Sequence, residues 1–273
     1  MALFAWTLAV SMLLPSHLLC AKEGKLAALV TEVRLSDYRG DRAALSRLDE
    51  KLGELDDAAL ADYRDYWRGF ARWRRAINGF NETPPPADLA SDLELAVGHF
   101  RACLERRPEW IEAKLALVGC LGNLLFVAGD DAEKKKPLIA EVVPLYRWLE
   151  ANGRDNPRAL WIIGGMQSWR GDFVNATATM RRGLELSWQE SASVAAAPAW
   201  IPSWGGPENL MNLAYTYSHA KTPDRAAALA YAEGAVTAVP EWHYVRDILL
   251  PQIEALPAPP VPPVPAAEPA PSK

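Results

Sequence analysis

The stretch Asn156–Trp188, reading NPRALWIIGGMQSWRGDFVNATATMRRGLELSW, decides the fold. Its apolar residues recur at three- and four-residue intervals, the period of amphipathic helices rather than of strands. Pro157 stands at a helix start, where a missing N–H costs nothing, and Gly171-Asp172 interrupts the pattern as a turn does. Leu160, Ile163 and Gly164 lie before that turn, and Ala176, Met180 and Gly183 follow it. Two helices that cross closely need small side chains at the contact and bulky ones above and below it, so the spacing predicts a helical pair packed through Gly164 and Ala176.

Working outward, the same periodicity runs from Lys22 to Leu256 with almost no alternating stretches. Breaks fall at Arg39-Gly40-Asp41, Asp56-Asp57, Asn81 to Asp88, Arg107-Pro108, Gly129 to Asp131, Asn152 to Pro157, Gly171-Asp172, Ser191 to Pro207, Thr222 to Asp224 and Val239-Pro240. Asp and Pro at helix starts and Gly at helix ends stop and restart helices, which predicts about eleven of them, each about 12 to 20 residues long. The spacing of Ala96, Phe100, Cys103 and Pro108 returns at Ala228, Ala232, Ala235 and Pro240, each time followed by Glu-Trp, at an offset of 132 residues. That offset is close to four units of a ~34-residue repeat. Trp242 to Ala255 reads as a final, more polar helix that caps the stack.

These residues resemble the tetratricopeptide repeat. Leu160, Ile163 and Gly164 fall at its large, aliphatic and glycine positions, Gly171-Asp172-Phe173 at its turn, and Ala176, Met180 and Gly183 at the small-large-small positions of its second helix. Degenerate copies pair first helices around Gly69, Gly119 and Ala214 with second helices, so the resemblance covers roughly residues 57 to 250. It implies an all-α, TPR-like helical-hairpin solenoid whose first helices line a concave groove. Transferred to this chain, that face carries Tyr66, Trp73, Arg74, Asn123, Trp161, Trp169, Tyr215 and His219 as partner-binding candidates. The carboxylate clamp of cochaperone members does not carry over, because Tyr, Trp and Asn stand where Lys and Arg would be wanted.

The ends of the chain differ in composition from the repeat region. Residues 1–21 lack charge up to Cys20 and hold an apolar run broken by Pro15, so they are expected to be a signal peptide cleaved near Cys20 or Ala21, sending the chain to the periplasm or the cell exterior. An anchor formed by the same segment is the alternative, although its clean apolar run is shorter than the ~20 residues a spanning helix needs. No transmembrane domain is expected once it is removed. Residues 22–256 form the helical domain, and 257–273, almost wholly Pro, Ala and Val, form a Pro-rich tail that favours an extended, polyproline-II-like course.

Composition narrows the function. With 29 basic against 34 acidic residues the formal charge is −5, which argues against a nucleic-acid partner. No metalloprotease, redox, nucleophile-elbow or phosphate-loop motif occurs. His99 and Cys103 stand four apart on one helix face, but no second pair of ligands accompanies them, so no metal and no cofactor is expected. Cys103 and Cys120 are expected to be buried free thiols, because consecutive antiparallel helices turning near Pro108 leave them about 9 Å apart along the axis. Eleven tryptophans suit a binding face. The expected function is therefore a non-enzymatic scaffold of the cell envelope holding a protein or peptide partner. The alternative is an all-α enzyme or small-ligand binder with its pocket near the Trp200–Gly206 loop, where Trp200 and Trp204 sit on a Pro/Gly frame.

Overall fold

The computed structural model describes residues 13–194 and 197–257, and among them every regular element is helical. The α-helices are α1 (Leu13–Tyr38), α2 (Arg42–Gly53), α3 (Ala61–Gly79), α4 (Leu89–Arg106), α5 (Ile111–Val127), α6 (Ala132–Asn152), α7 (Pro157–Trp169), α8 (Phe173–Val194), α9 (Gly206–His219), α10 (Arg225–Ala238) and α11 (Leu250–Glu254). A 3-10 turn, Ala58–Leu60, precedes α3, and a wide π turn, Tyr244–Leu249, runs into α11.

The boundaries follow from local chemistry. Asp41, Asp131, Asn156 and Asp224 each accept a backbone N–H three residues on, at 2.8 to 3.1 Å, capping α2, α6, α7 and α10. Such caps are worth about 1 kcal/mol apiece. Gly40, Gly129 and Gly171 take positive φ of 70°, 54° and 81° in the turns after α1, α5 and α7, a conformation that costs other residues steric strain.

Two expectations are adjusted. The helix expected over Trp242 to Ala255 divides into the π turn and α11, with Pro251, which has no N–H to donate, in the first turn of α11. The break expected from Ser191 begins later, because α8 continues to Val194. α1 begins at Leu13; residues 1–12, most of the expected signal peptide, and 258–273, nearly all of the expected Pro-rich tail, lie outside the described residues. No described helix is long and apolar enough to cross a membrane.

Sequential helices pack on one another, and the odd-numbered helices also touch in turn, α1 on α3, α3 on α5, α5 on α7 and α7 on α9. Small residues set these approaches. A Cβ built on Gly164 would lie 2.6 Å from Met180 Cγ and 3.3 Å from Ala176 O, and one on Gly69 would lie 2.9 Å from the Phe100 ring. Gly119 is different: its missing side chain admits Trp73 of α3 and Ile162 of α7 rather than a residue of α6. Near the two ends of the described chain, Tyr38 Oη donates to Glu208 Oε1 at 2.7 Å, its ring meets Trp242 edge-on at 5.1 Å, and Arg39 forms a forked pair with Glu241.

Guanidinium groups knit α2, α3 and α4 together. Asp65 accepts from Arg64 and Arg106, and Asp88 accepts from Arg42 and Arg75. Burial pushes both carboxyls up, but these hydrogen bonds and charges outweigh it and hold them below the usual range. A depressed folded pKa stabilises above the unfolded value of about 3.9 and is lost as pH falls through the folded one. Below about pH 4 the thermal midpoint of the native chain should therefore drop, and Asp65→Asn should make that drop shallower.

Gly164→Val should destabilise the chain by about 1 to 3 kcal/mol through overpacking against Met180. Gly122→Ala meets nothing closer than Met166 Sδ at 3.8 Å. It should be neutral or stabilising by up to about 1 kcal/mol, because alanine is the better helix former. Urea titration of the two variants checks the contrast.

Candidate functional site

Four large rings of α3 (Tyr66, Trp67, Phe70 and Trp73) are brought together by helical periodicity, and all are buried. The segment 197–205 fits against them. Trp204 Nε1 donates to Tyr66 Oη at 3.0 Å, and Trp67 Nε1 donates to Trp200 O at 2.7 Å. The Trp204 ring lies 5.7 Å from Phe70, 6.1 Å from Trp73 and 5.5 Å from Trp161, in edge-on or tilted contact. Trp204 is 2% exposed. Its turn is held by Gly205, whose φ of 124° excludes other residues and whose N–H donates to Glu208 Oε2 at 2.7 Å.

Half of the expected groove, Tyr66, Trp73, Arg74 and Trp161, is buried rather than open. Tyr66, Trp73 and Trp161 are core residues, and Arg74 is buried, with Nε donating to Asp37 Oδ2 at 2.8 Å. Burial lifts the Asp37 carboxyl above its ordinary range, against the pull of Arg74 and of Asn78, whose Nδ2 donates to Asp37 Oδ1 at 3.1 Å. Tyr66, Trp73 and Trp161 are therefore packed against the chain's own indole. Of the two loop tryptophans expected to be available, Trp204 is buried and Trp200 is half-buried.

What stays open is the rim made by the C-terminal ends of α3, α5, α7 and α9. Phe80 caps α3 half-exposed, Phe126 is 67% exposed, Trp169 is 75% exposed and Tyr215 is 42% exposed. Contacts fix their order. Phe80 and Phe126 meet edge-on at 5.6 Å, Met166 reaches over Gly122, and Thr216 Oγ1 donates to Ser168 Oγ at 3.0 Å beside Trp169. His219 stacks on Tyr215 with ring centres 3.9 Å apart, and Asn123 sits half-buried behind the rim, accepting from Trp73 Nε1 at 2.9 Å. Trp169, Tyr215 and His219 of the expected groove are thus gathered on this edge.

Phe80 and Phe126 were missed by sequence reasoning. A signal existed for one of them: Phe126 precedes the turn glycine Gly129 by three residues, much as Trp169 precedes Gly171 by two. Burying one such ring is worth about 1.5 to 3 kcal/mol, so a ligand that covered several would be held mainly by apolar contact.

Other chemistry is sparse among the described residues. No group of three His, Cys, Asp or Glu is placed to hold a metal. Cys103 Sγ donates to Asp62 O at 3.4 Å, and burial pushes its thiol up to about 12; burial raises Cys120 as well. Both are neutral, free thiols in the core, poor nucleophiles and poor ligands. A cleft of about 240 Å³ lies beside Ser203, Gly206 and Pro207, with Leu184 and Trp188 on its far wall. Its lining carboxylate, Glu190, is gripped by both terminal nitrogens of Arg158 at 2.7 Å.

Trp204→Ala should cost about 3 to 5 kcal/mol, as removal of a buried aromatic does. Trp169→Ala should change stability by no more than about 0.5 kcal/mol, as an exposed substitution does. Denaturant midpoints at constant slope check both. No protein-family model, no curated protein and no solved structure matches this chain, so what the rim can bind is read from its own side chains.

Proposed function

We propose that this chain is a non-enzymatic binding or scaffold protein of the cell envelope, a TPR-like helical repeat that holds a protein or peptide along its inner rim. The observation that carries the reading is the row of Phe126, Trp169 and Tyr215, large exposed rings at the ends of consecutive inner helices. A monomer without a ligand has little reason to present such rings in order, whereas extended peptides are held by regularly spaced apolar anchors. The repeat spacing of Asn156–Trp188 supports the family assignment, and the uncharged, apolar first twenty residues support export.

The alternative, an all-α enzyme or small-ligand binder, would use the cleft beside Ser203 and Gly206 with the exposed Trp188 as a stacking surface. The engagement of Glu190 with Arg158 leaves that cleft less suited to acid–base work, which favours the first reading.

Photo-crosslinking amino acids placed at Phe126 or Trp169, and for comparison at Leu95 on the exposed side of α4, test the proposal in the native host. Partners should be captured from the two rim positions and lost when Tyr215 is also changed to Ala. Equal capture of the same proteins from Leu95 would overturn it.

A further inference from the structure

We propose that the face formed by α8, α9 and α10 is a second binding site, one that takes an apolar monocarboxylic acid, with its carboxylate on Arg181 and its chain laid toward the cleft beside Trp188. This site stands apart from the rim, and what is asked of the cleft is binding rather than acid–base work.

The charged end is Arg181. Its Nη2 donates to Tyr217 Oη at 2.5 Å and its Nε to Tyr231 Oη at 3.2 Å, and the two phenol rings are stacked with centres 5.7 Å apart. Arg181 is exposed, and no carboxylate among the described residues pairs with it; Glu185, one turn on, is engaged by Arg182 at 3.3 Å. A guanidinium can only donate, so both phenol oxygens accept from it and each hydroxyl proton is left to point elsewhere. Two hydroxyl donors and the Nη1 side of the guanidinium, which no group among the described residues occupies, are thus available to an oxyanion. One unneutralised positive charge matches one negative charge. That favours a carboxylate over a phosphate group, whose charge of about −1.5 to −2 calls for more than one cation.

The apolar end is the cleft of about 240 Å³ walled by Leu184, Trp188, Pro207, Leu210 and Ala238. One cluster joins it to Arg181: Leu184 and Leu213 are buried, and Leu210, Tyr217 and Tyr231 pack against them. Each helix carries the connection on a single face, at steps of three and four residues. Arg181, Leu184 and Trp188 do so on α8, Tyr217, Leu213 and Leu210 on α9, and Tyr231, Gly234 and Ala238 on α10. Leu210 reaches α10 at Gly234, where an added Cβ would lie 3.6 Å from its Cδ2.

Distance sets the length of the ligand. Trp188 lies seven residues beyond Arg181 on α8, ~10 Å at ~1.5 Å per residue, which a saturated chain of roughly eight carbons spans. The cleft is smaller than the ~300 Å³ at which sites for drug-sized ligands begin, so it suits the end of a slim chain rather than a fused ring system. Trp188 is 65% exposed, and a chain lying there would cover its indole.

Calorimetric titration of the full chain with octanoate is the test. Octanoate should bind at one saturable site, and octan-1-ol at least about fivefold more weakly for want of the charge. Hexanoate should bind about tenfold more weakly, since each buried methylene is worth up to about fourfold. Arg181→Gln should abolish the preference for octanoate over octan-1-ol, and Ala238→Leu, which puts bulk into the cleft, should abolish the preference for octanoate over hexanoate. Both positions are exposed, so the fold tolerates the changes, and the comparisons on the native chain need no variant. No saturable binding of octanoate by the native chain, equal binding of octanoate and octan-1-ol, or an Arg181→Gln chain that keeps the preference overturns the inference. So does a leucine-terminated peptide that binds more tightly than octanoate and loses that affinity when its C-terminus is amidated, since the site would then belong to a peptide terminus. Crosslinking from Phe126 and Trp169 reads the rim separately, so either site can fail alone.

Discussion

The insertion of Trp204 between α3 and α7 is the contact on which the rest of the architecture depends. The aromatic face that α3 presents must be covered or left open to water. Here the indole of Trp204 covers the middle of that face, touching Phe70, Trp73 and Trp161 and bonding to Tyr66 Oη. Several polar groups beside it are matched, while Trp161 Nε1 is buried with no hydrogen-bond partner among the described residues. Glu208 accepts from both the Gly205 N–H and Tyr38 Oη, and Arg158 donates to the Trp204 carbonyl at 3.0 Å while paired with Glu112 and Glu190. Buried ionic groups of this kind are tolerated only when each is paired, so the segment's position is fixed by polar geometry as much as by apolar contact.

Filling the middle leaves the edge. The rings at the ends of α5, α7 and α9 cannot reach the Trp204 cluster because each lies at or near the last turn of its helix, beyond the depth to which the loop extends. They remain as exposed aromatic rings at one edge, and apolar area of this kind is stabilised when a partner covers it. The charge balance of the molecule fits this: its arginines are largely committed to internal carboxylates, as in the Arg42, Arg72 and Arg75 contacts to Asp88, Asp49 and Asp92. Recognition at the rim then falls to shape and apolar area rather than to charge.

The helices and their packing positions were legible in the sequence because they are set by near neighbours. Ala96, Phe100, Cys103, Ala228, Ala232 and Ala235, read from one recurring spacing, are all fully buried, and Gly164 sits against Ala176 and Met180. The site was only half legible. Periodicity says which side chains share a helix face, but not which distant segment covers that face. Trp204 and Tyr66 are 138 residues apart, and Tyr38 and Glu208 are 170 apart. No local pattern announces such pairings, so Trp73 and Trp161 read as groove residues although a loop covers them. Trp169 lies two turns beyond Trp161 on the same helix and stays exposed for the simple reason that the loop stops short of it.

The covered inner face can be tested directly by oxidative footprinting of the tryptophans in the native chain, resolved residue by residue by mass spectrometry. Trp188, exposed on α8, should react rapidly, while Trp204, Trp67 and Trp73 should be protected until the chain unfolds globally. Oxidation of Trp204 at the rate of Trp188 in folded protein would contradict the account, because it would mean that the inner side is an open groove and the loop a free arm.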